Sequence, residues 1–423
     1  MRNVQSSPLA TAPAAHPKRA APLRARPFEK TQAKTPVWQR LLLGRDISPT
    51  RAEFDAVLDG LWDGDSEMDA LVEWMFSFGF RPARALFDRA IEVGIDNVPD
   101  APEALRRFFA VVEREPAWLD RAAISDGIRF LHGAGAAGPA VLRDLALMGG
   151  YLLTGFNHAL VQTGALNGST SRRVAETGKW WLDCTEHGGL ERFGAGFATT
   201  LQVRLVHALV RRGLSNKAEW EHERWGLPLN QVDMAATYLG FCVVLLGGVR
   251  KLGIPVTARE SRGVMQLFRY ACWLMGVEER WLVDTEREGI VLLHHCVLTQ
   301  GRPDWTTREL AAALANEPLE RQFSKFATIR RRFDYERHLS TTHYFLGAEK
   351  TSDLGLRATN GWYPLVTLMP RFLSYTGQRF VPAFRSRNEA RGRRKQKALI
   401  DSVLGHRPES VIQPEQNHPA YVA

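Results

Sequence analysis

The chain has 423 residues, 45% hydrophobic and 24% charged, a balance that builds a packed core and excludes a fibrous or wholly disordered protein. Its formal charge is +9, but residues 1–40 carry net +7 and residues 384–397 net +6, leaving the remainder at −4. The basicity lives in two tails, which argues against a specific nucleic-acid reader and for solvated tails or weak peripheral contact with a membrane.

Residues 1–40 are rich in Pro, Ala, Lys and Arg and hold no continuous apolar stretch, so they are expected to be a disordered tail. No secretory signal is visible there, and the four cysteines (Cys184, Cys242, Cys272, Cys296) contain no C-x-x-C pair. Both features predict reduced thiols and a cytoplasmic protein, with membrane association as an addition. From residue 45 to about 330 helical periodicity dominates. "SPTRAEFDAVLDGLWDG" opens on Ser48 or Thr50 as a cap and closes on glycine, and the following segments to "GPAVLRDLALMGGYLLTGFNHALVQTG" share that grammar. No alternating strand pattern and no fixed-period repeat interrupts them. The fold class is therefore all-α. "MAATYLGFCVVLLGGV" (Met234–Val249) has 16 residues, short for a membrane span, and reads as a buried core helix. Residues 331–423 change character and form a C-terminal extension with a basic segment and a frayed end.

Chemistry concentrates in "LQVRLVHALVRRGL", residues 201–214. At about 100° per residue, Arg204, His207 and Arg211 share one face of an otherwise apolar helix. Two buried guanidiniums require anions, either carboxylates of this chain or those of a ligand. A haem meets both needs, since its iron takes a neutral imidazole and its propionates take arginines. Upstream, Arg173, Glu176 and Thr177 stand at i, i+3 and i+4 on another helical face, as the polar side of a pocket or as a surface ion pair. His294 and His295 read as core or interface histidines, and His158 as a hydrogen-bonded core residue or one that lines the pocket. The lone E-x-x-H pair, Glu219 and His222, lacks the second copy that a di-iron bundle needs.

With these residues in view, the sequence resembles the family of the rubber oxygenase (latex-clearing protein) catalytic domain and the ER-bound oxygenase MpaB. The resemblance rests on R-x-x-x-T at Arg173–Thr177 and R-x-x-H-x-x-x-R at Arg204, His207 and Arg211. It continues through "GLPLNQVDMAATYLGFCVVLLGGVRKLGIPV" and "ESRGVMQLFRYACWLMGVEERWLV", spanning residues 50–310. It implies a helical domain with a globin-like core around b-type haem, His207 as proximal iron ligand, Arg204 and Arg211 positioning the haem or its environment, and Arg173 and Thr177 on the distal side. The implied reaction is oxidative cleavage of a carbon–carbon double bond in an isoprenoid-like or other apolar unsaturated substrate, using O2. Rubber oxygenases carry a lysine just before the threonine; here that position is Glu176, which turns the resemblance toward the MpaB-like branch and makes Glu176 a candidate base. Two other readings share the sequence: a non-catalytic haem or lipid carrier of the same fold, and a cofactor-free helical interaction protein with basic tails.

Overall fold

The computed structural model describes residues 19–164 and 170–404, the side chains of residues 382 and 404 excepted. Among the described residues there are helices, turns and loops and no strand, so the all-α class holds. Nine helices place the site or frame it: α1 (Ser66–Phe78), α2 (Arg121–Ala134), α3 (Thr170–Cys184), α4 (Ala195–Ser215), α5 (Gln231–Lys251), α6 (Ala258–Leu274), α7 (Ala327–Asp353), α8 (Trp362–Phe380) and α9 (Pro382–Leu404). Shorter helices connect them. Local chemistry fixes several starts. Thr50 and Glu53 close a capping box on the helix Arg51–Gly60, Asp65 caps α1 at the Met68 N–H (3.2 Å), and Thr257 with Glu260 caps α6.

α5 is the long apolar helix read above. It is long and apolar enough to cross a membrane by composition, but 72% of its apolar window is buried inside the fold. It is not regular throughout: Gly240–Val244 form a π-helical turn, and a second π turn, Leu142–Leu147, lies against it. Such turns widen a helix locally and concentrate at functional sites.

The tightest crossing joins α2 and α6, where Gly127 and Gly263 meet backbone to backbone. A methyl on either would run into the other's main chain. Gly127→Ala is therefore expected to destabilise the chain by about 1–3 kcal/mol, because backbone must move to admit it. Gly247, in α5, has nothing within 4 Å of its missing Cβ. Gly247→Ala should raise stability by about 0.5–1 kcal/mol through helix propensity. Chemical denaturation of the two variants checks the contrast.

Two expectations about the ends need correction. Residues 19–40 are not a loose tail. Arg24 is buried and both oxygens of Asp233 accept from its Nη2 at 3.0 Å, while Phe28–Thr31 form a short 3-10 turn. One inward arginine with a buried carboxylate partner pins a segment whose composition alone reads as disordered. Residues 1–18 lie outside the described residues. The basic run, read from sequence as a solvated tail, is anchored along one face. On α9, Arg393 enters the body, donating to the Leu182 carbonyl (2.5 Å) and the Thr185 hydroxyl (3.1 Å), and the Gln396 amide donates to the Leu131 and Gly135 carbonyls. The frayed end expected after residue 404 lies outside the described residues.

Candidate functional site

α4 carries the central residues. Arg204 and Arg211 are both buried, as the amphipathic pattern required. Their anions are carboxylates of this chain. Arg204 makes a two-point pair with Asp65 (Nε–Oδ2 2.6 Å, Nη2–Oδ1 2.7 Å) and donates to the Leu274 carbonyl. Arg211 pairs with Asp69 (Nη2–Oδ1 2.7 Å) and donates to the Leu229 carbonyl at 2.9 Å. Burial pushes the Asp69 carboxyl above its ordinary range, against the pull of Arg211. The two arginines therefore do not wait for propionates. They clamp α4 onto α1, one helical turn on either side of His207, and so fix the direction of that ring.

His207 itself makes no hydrogen bond with any described residue, and its Nδ1 is fully buried without a partner. The residue nevertheless keeps part of its surface accessible, and Nδ1 is the one ring nitrogen that is buried without a partner. Burial, reinforced by the charges of Arg211 and Arg173, pushes its pKa down to about 4, so the imidazole is neutral at neutral pH. Orphaned buried polar atoms are uncommon because each costs about 1–3 kcal/mol.

Arg173, on α3, shares this condition. It lies deep enough that burial pushes its pKa down, and its charge is felt at His207. It forms no ion pair among the described residues; its one hydrogen bond is long, to the Leu160 carbonyl at 3.5 Å. The arginine without a carboxylate of its own is thus Arg173 rather than either neighbour of His207. Two turns along α3, Trp180 donates to the Thr200 hydroxyl of α4 (2.9 Å) and meets Phe241 of α5 edge-on at 5.0 Å. Phe241 belongs to a row on α5 (Thr237, Gly240, Phe241, Val244, Gly247) that shares one face and stays partly open within an otherwise buried helix.

Glu176 and Thr177 take other positions. Glu176 accepts from Arg172 Nε at 2.8 Å in an i, i+4 pair, and Thr177 is exposed.

Of the other histidines, His294 Nε2 and His343 Nδ1 are also buried without a hydrogen-bond partner among the described residues, while others are engaged elsewhere. His158 bonds Asp304 (2.8 Å) and stacks on Trp225, His295 bonds the Ile47 carbonyl and His222 that of Ser215. No group of three or more His, Cys, Asp or Glu suited to a metal occurs among the described residues. The four cysteines are free and buried. Sequence reasoning missed a second polar centre. His338 Nδ1 donates to Asp144 (2.7 Å), while its Nε2 accepts from Arg321 and Arg337, which fixes it as the neutral tautomer. Asp144 is pushed up to about 6 by burial. Arg143 and Arg321 both hold Glu317. A cavity of about 260 Å³ borders this cluster, away from His207. Its charges are mutually satisfied, so we read it as an anchor for α7. No local sequence signal announces it, because its members come from three distant segments.

Comparison with known proteins gives the family and the fold. A family described as "ER-bound oxygenase mpaB/B'/Rubber oxygenase, catalytic domain" matches residues 132–376, starting later and ending later than the span read from sequence. The curated rubber oxygenase of Streptomyces sp. (strain K30) is 23% identical over 232 residues, covering 52% of this chain and 55% of that protein. The chain thus matches about half the length of that relative. A solved structure of the latex clearing protein in its closed state superposes with a TM-score of 0.61 at 19% identity, covering 80% of this chain and 91% of that one, a likeness of fold.

Proposed function

The chain belongs to the family of ER-bound oxygenase mpaB/B' and rubber oxygenase catalytic domains, and from that premise we propose that it is a haem b-dependent oxygenase with His207 as the axial iron ligand. The observation that carries the proposal is the state of His207: neutral, deep in the fold, without a hydrogen bond to any described residue, and partly accessible. A neutral imidazole is one of the donors that a haem iron takes. When bound, the haem supplies O2 chemistry, which in this proposal cleaves a carbon–carbon double bond of an isoprenoid-like or other apolar unsaturated substrate.

The chain's own residues do the rest. Asp65 and Asp69, through Arg204 and Arg211, hold the ring's direction. Arg173 offers its unpaired charge to an anionic group beside His207, such as a porphyrin carboxylate. Trp180 and Phe241, edge-on to each other, would give the site an apolar side suited to an apolar chain.

The test is purification with haem supply, followed by ferric and ferrous absorption spectra and oxygen uptake with an unsaturated isoprenoid. A Soret band together with substrate-dependent oxygen uptake is the expected result. A colourless, fully folded chain after haem supply overturns the proposal. A coloured chain without oxygen uptake for any unsaturated apolar substrate reduces it to haem binding. Glu176→Gln is expected to keep uptake within about twofold, as for a partly exposed ion pair.

A further inference from the structure

The outer face of α8 is apolar and uncovered. Leu365, Val366, Met369, Phe372, Leu373 and Phe380 are all exposed, Leu373 at 62% and Phe380 at 80%. At 100° per residue these six fall within about a third of the helix circumference, and no charged side chain lies inside the stripe. The helix is held firmly on its other side. Tyr375 is buried against Phe130, its hydroxyl donates to Glu260, and Arg379 donates to Glu260 and to the Pro255 carbonyl, both at 2.9 Å. The stripe is therefore presented by the fold and is not a frayed end. It extends onto α7, where exposed Phe326, Ile329 and Phe333 stand at i, i+3 and i+7, and the Phe333 ring meets Trp362 and Tyr363 at the start of α8.

The next helix supplies charge. On α9, Arg387, Arg391, Arg394 and Lys395 are exposed, share one face, and make no ion pair among the described residues. The opposite face of α9 is the one pinned into the body by Arg393 and Gln396. An exposed apolar stripe is followed at once by an exposed basic one.

We propose that α8 and α9 together form a surface that docks on an anionic lipid bilayer, the α8 stripe seating among the acyl chains and the α9 cations at the headgroups. Scattered surface apolar residues are ordinary, but a contiguous helical stripe on a soluble chain marks an interaction site. A second protein copy needs apolar complementarity alone. The adjoining row of four unpaired cations is what an anionic membrane surface matches and an identical basic face repels. This surface is independent of the haem reading, since neither helix contributes a residue to the His207 site.

The test uses the full chain, with and without haem, in sedimentation with vesicles of phosphatidylcholine alone or with phosphatidylserine. Binding to the anionic vesicles is expected, at least about tenfold weaker to the neutral ones and falling with salt. Met369→Glu/Leu373→Glu and, separately, Arg387→Glu/Arg391→Glu/Arg394→Glu should each cut binding about tenfold or more while circular dichroism and melting stay unchanged. Absence of binding to anionic vesicles overturns the proposal. So does binding that neither set alters. A concentration-dependent dimer that the Met369→Glu/Leu373→Glu variant dissociates, with no vesicle binding, overturns it in favour of a second copy.

Discussion

His207→Ala is expected to give a folded, soluble chain that no longer shows a Soret band after haem supply and no longer consumes oxygen with substrate. An ordinary core histidine bonded to its surroundings would behave otherwise, because truncating it strands its partners at a cost of about 1–3 kcal/mol each. His207 has no such partners, and its own Nδ1 is already stranded. Removing the ring therefore deletes an unsatisfied group at the same time as it deletes packing, and the haem-free variant should stay within about 1–2 kcal/mol of the haem-free parent. The difference appears only with cofactor. At a free haem concentration of about 100 times the dissociation constant, binding stabilises the parent by about 2.7 kcal/mol, and the variant should gain almost none of it. Thermal melts of both chains with and without haem make the four-way comparison. A variant whose melt still rises with haem by the parental amount would place the iron ligand elsewhere. A haem-free variant that unfolds would show that the ring is structural.

The parts of this fold that were legible in the sequence are those governed by neighbours in the chain. Helix existence, a cap at Ser48 or Thr50, of which Thr50 is the one used, and the shared face of Arg204, His207 and Arg211 all follow from spacing. What completes the site was not legible, because it depends on pairing at long range. Asp65 is 139 residues from the arginine it holds, and in sequence it reads as a helix cap, which it also is. The same limit misplaced the N-terminal segment: nothing local says that Arg24 will find Asp233, 209 residues on. Periodicity finds an apolar face but not whether anything covers it. The stripe on α8 has the spacing of a core helix and stands in the open. Burial is symmetric in the same way for Arg173 and Glu176. They share a helix and a spacing, yet Arg173 lies deep enough for its charge to be felt at His207, while Glu176 pairs with Arg172.

Asp65→Ala should be the most destabilising single substitution near the site. Arg204 and Asp65 are both almost fully buried, at 2.6 and 2.7 Å in a two-point geometry. Removing the carboxylate leaves a guanidinium in the core with one carbonyl, that of Leu274 at 3.3 Å, and an aromatic face, that of Phe108. Breaking a buried pair in this way costs about 3–5 kcal/mol, and loss of the α1 cap at Met68 adds about 1 kcal/mol. Asp65→Asn keeps a capping oxygen and one acceptor, so it should fall short of the alanine variant by about the cap term. The pair is not irreplaceable in energy. Asp65→Leu/Arg204→Met removes both charges at similar volume and should recover most of the loss, because isolated charge and not missing attraction is what destabilises the single variant. Its haem affinity should recover less than its stability. A two-point ion pair fixes the azimuth of α4, and therefore the aim of His207 one turn away, more tightly than apolar packing does. Urea unfolding of the parent, Asp65→Leu, Arg204→Met and the double variant gives the coupling energy between the two positions, and haem titration of the parent and the double variant separates stability from aim. Equal haem affinity in parent and double variant would show that the clamp holds the fold and not the ligand.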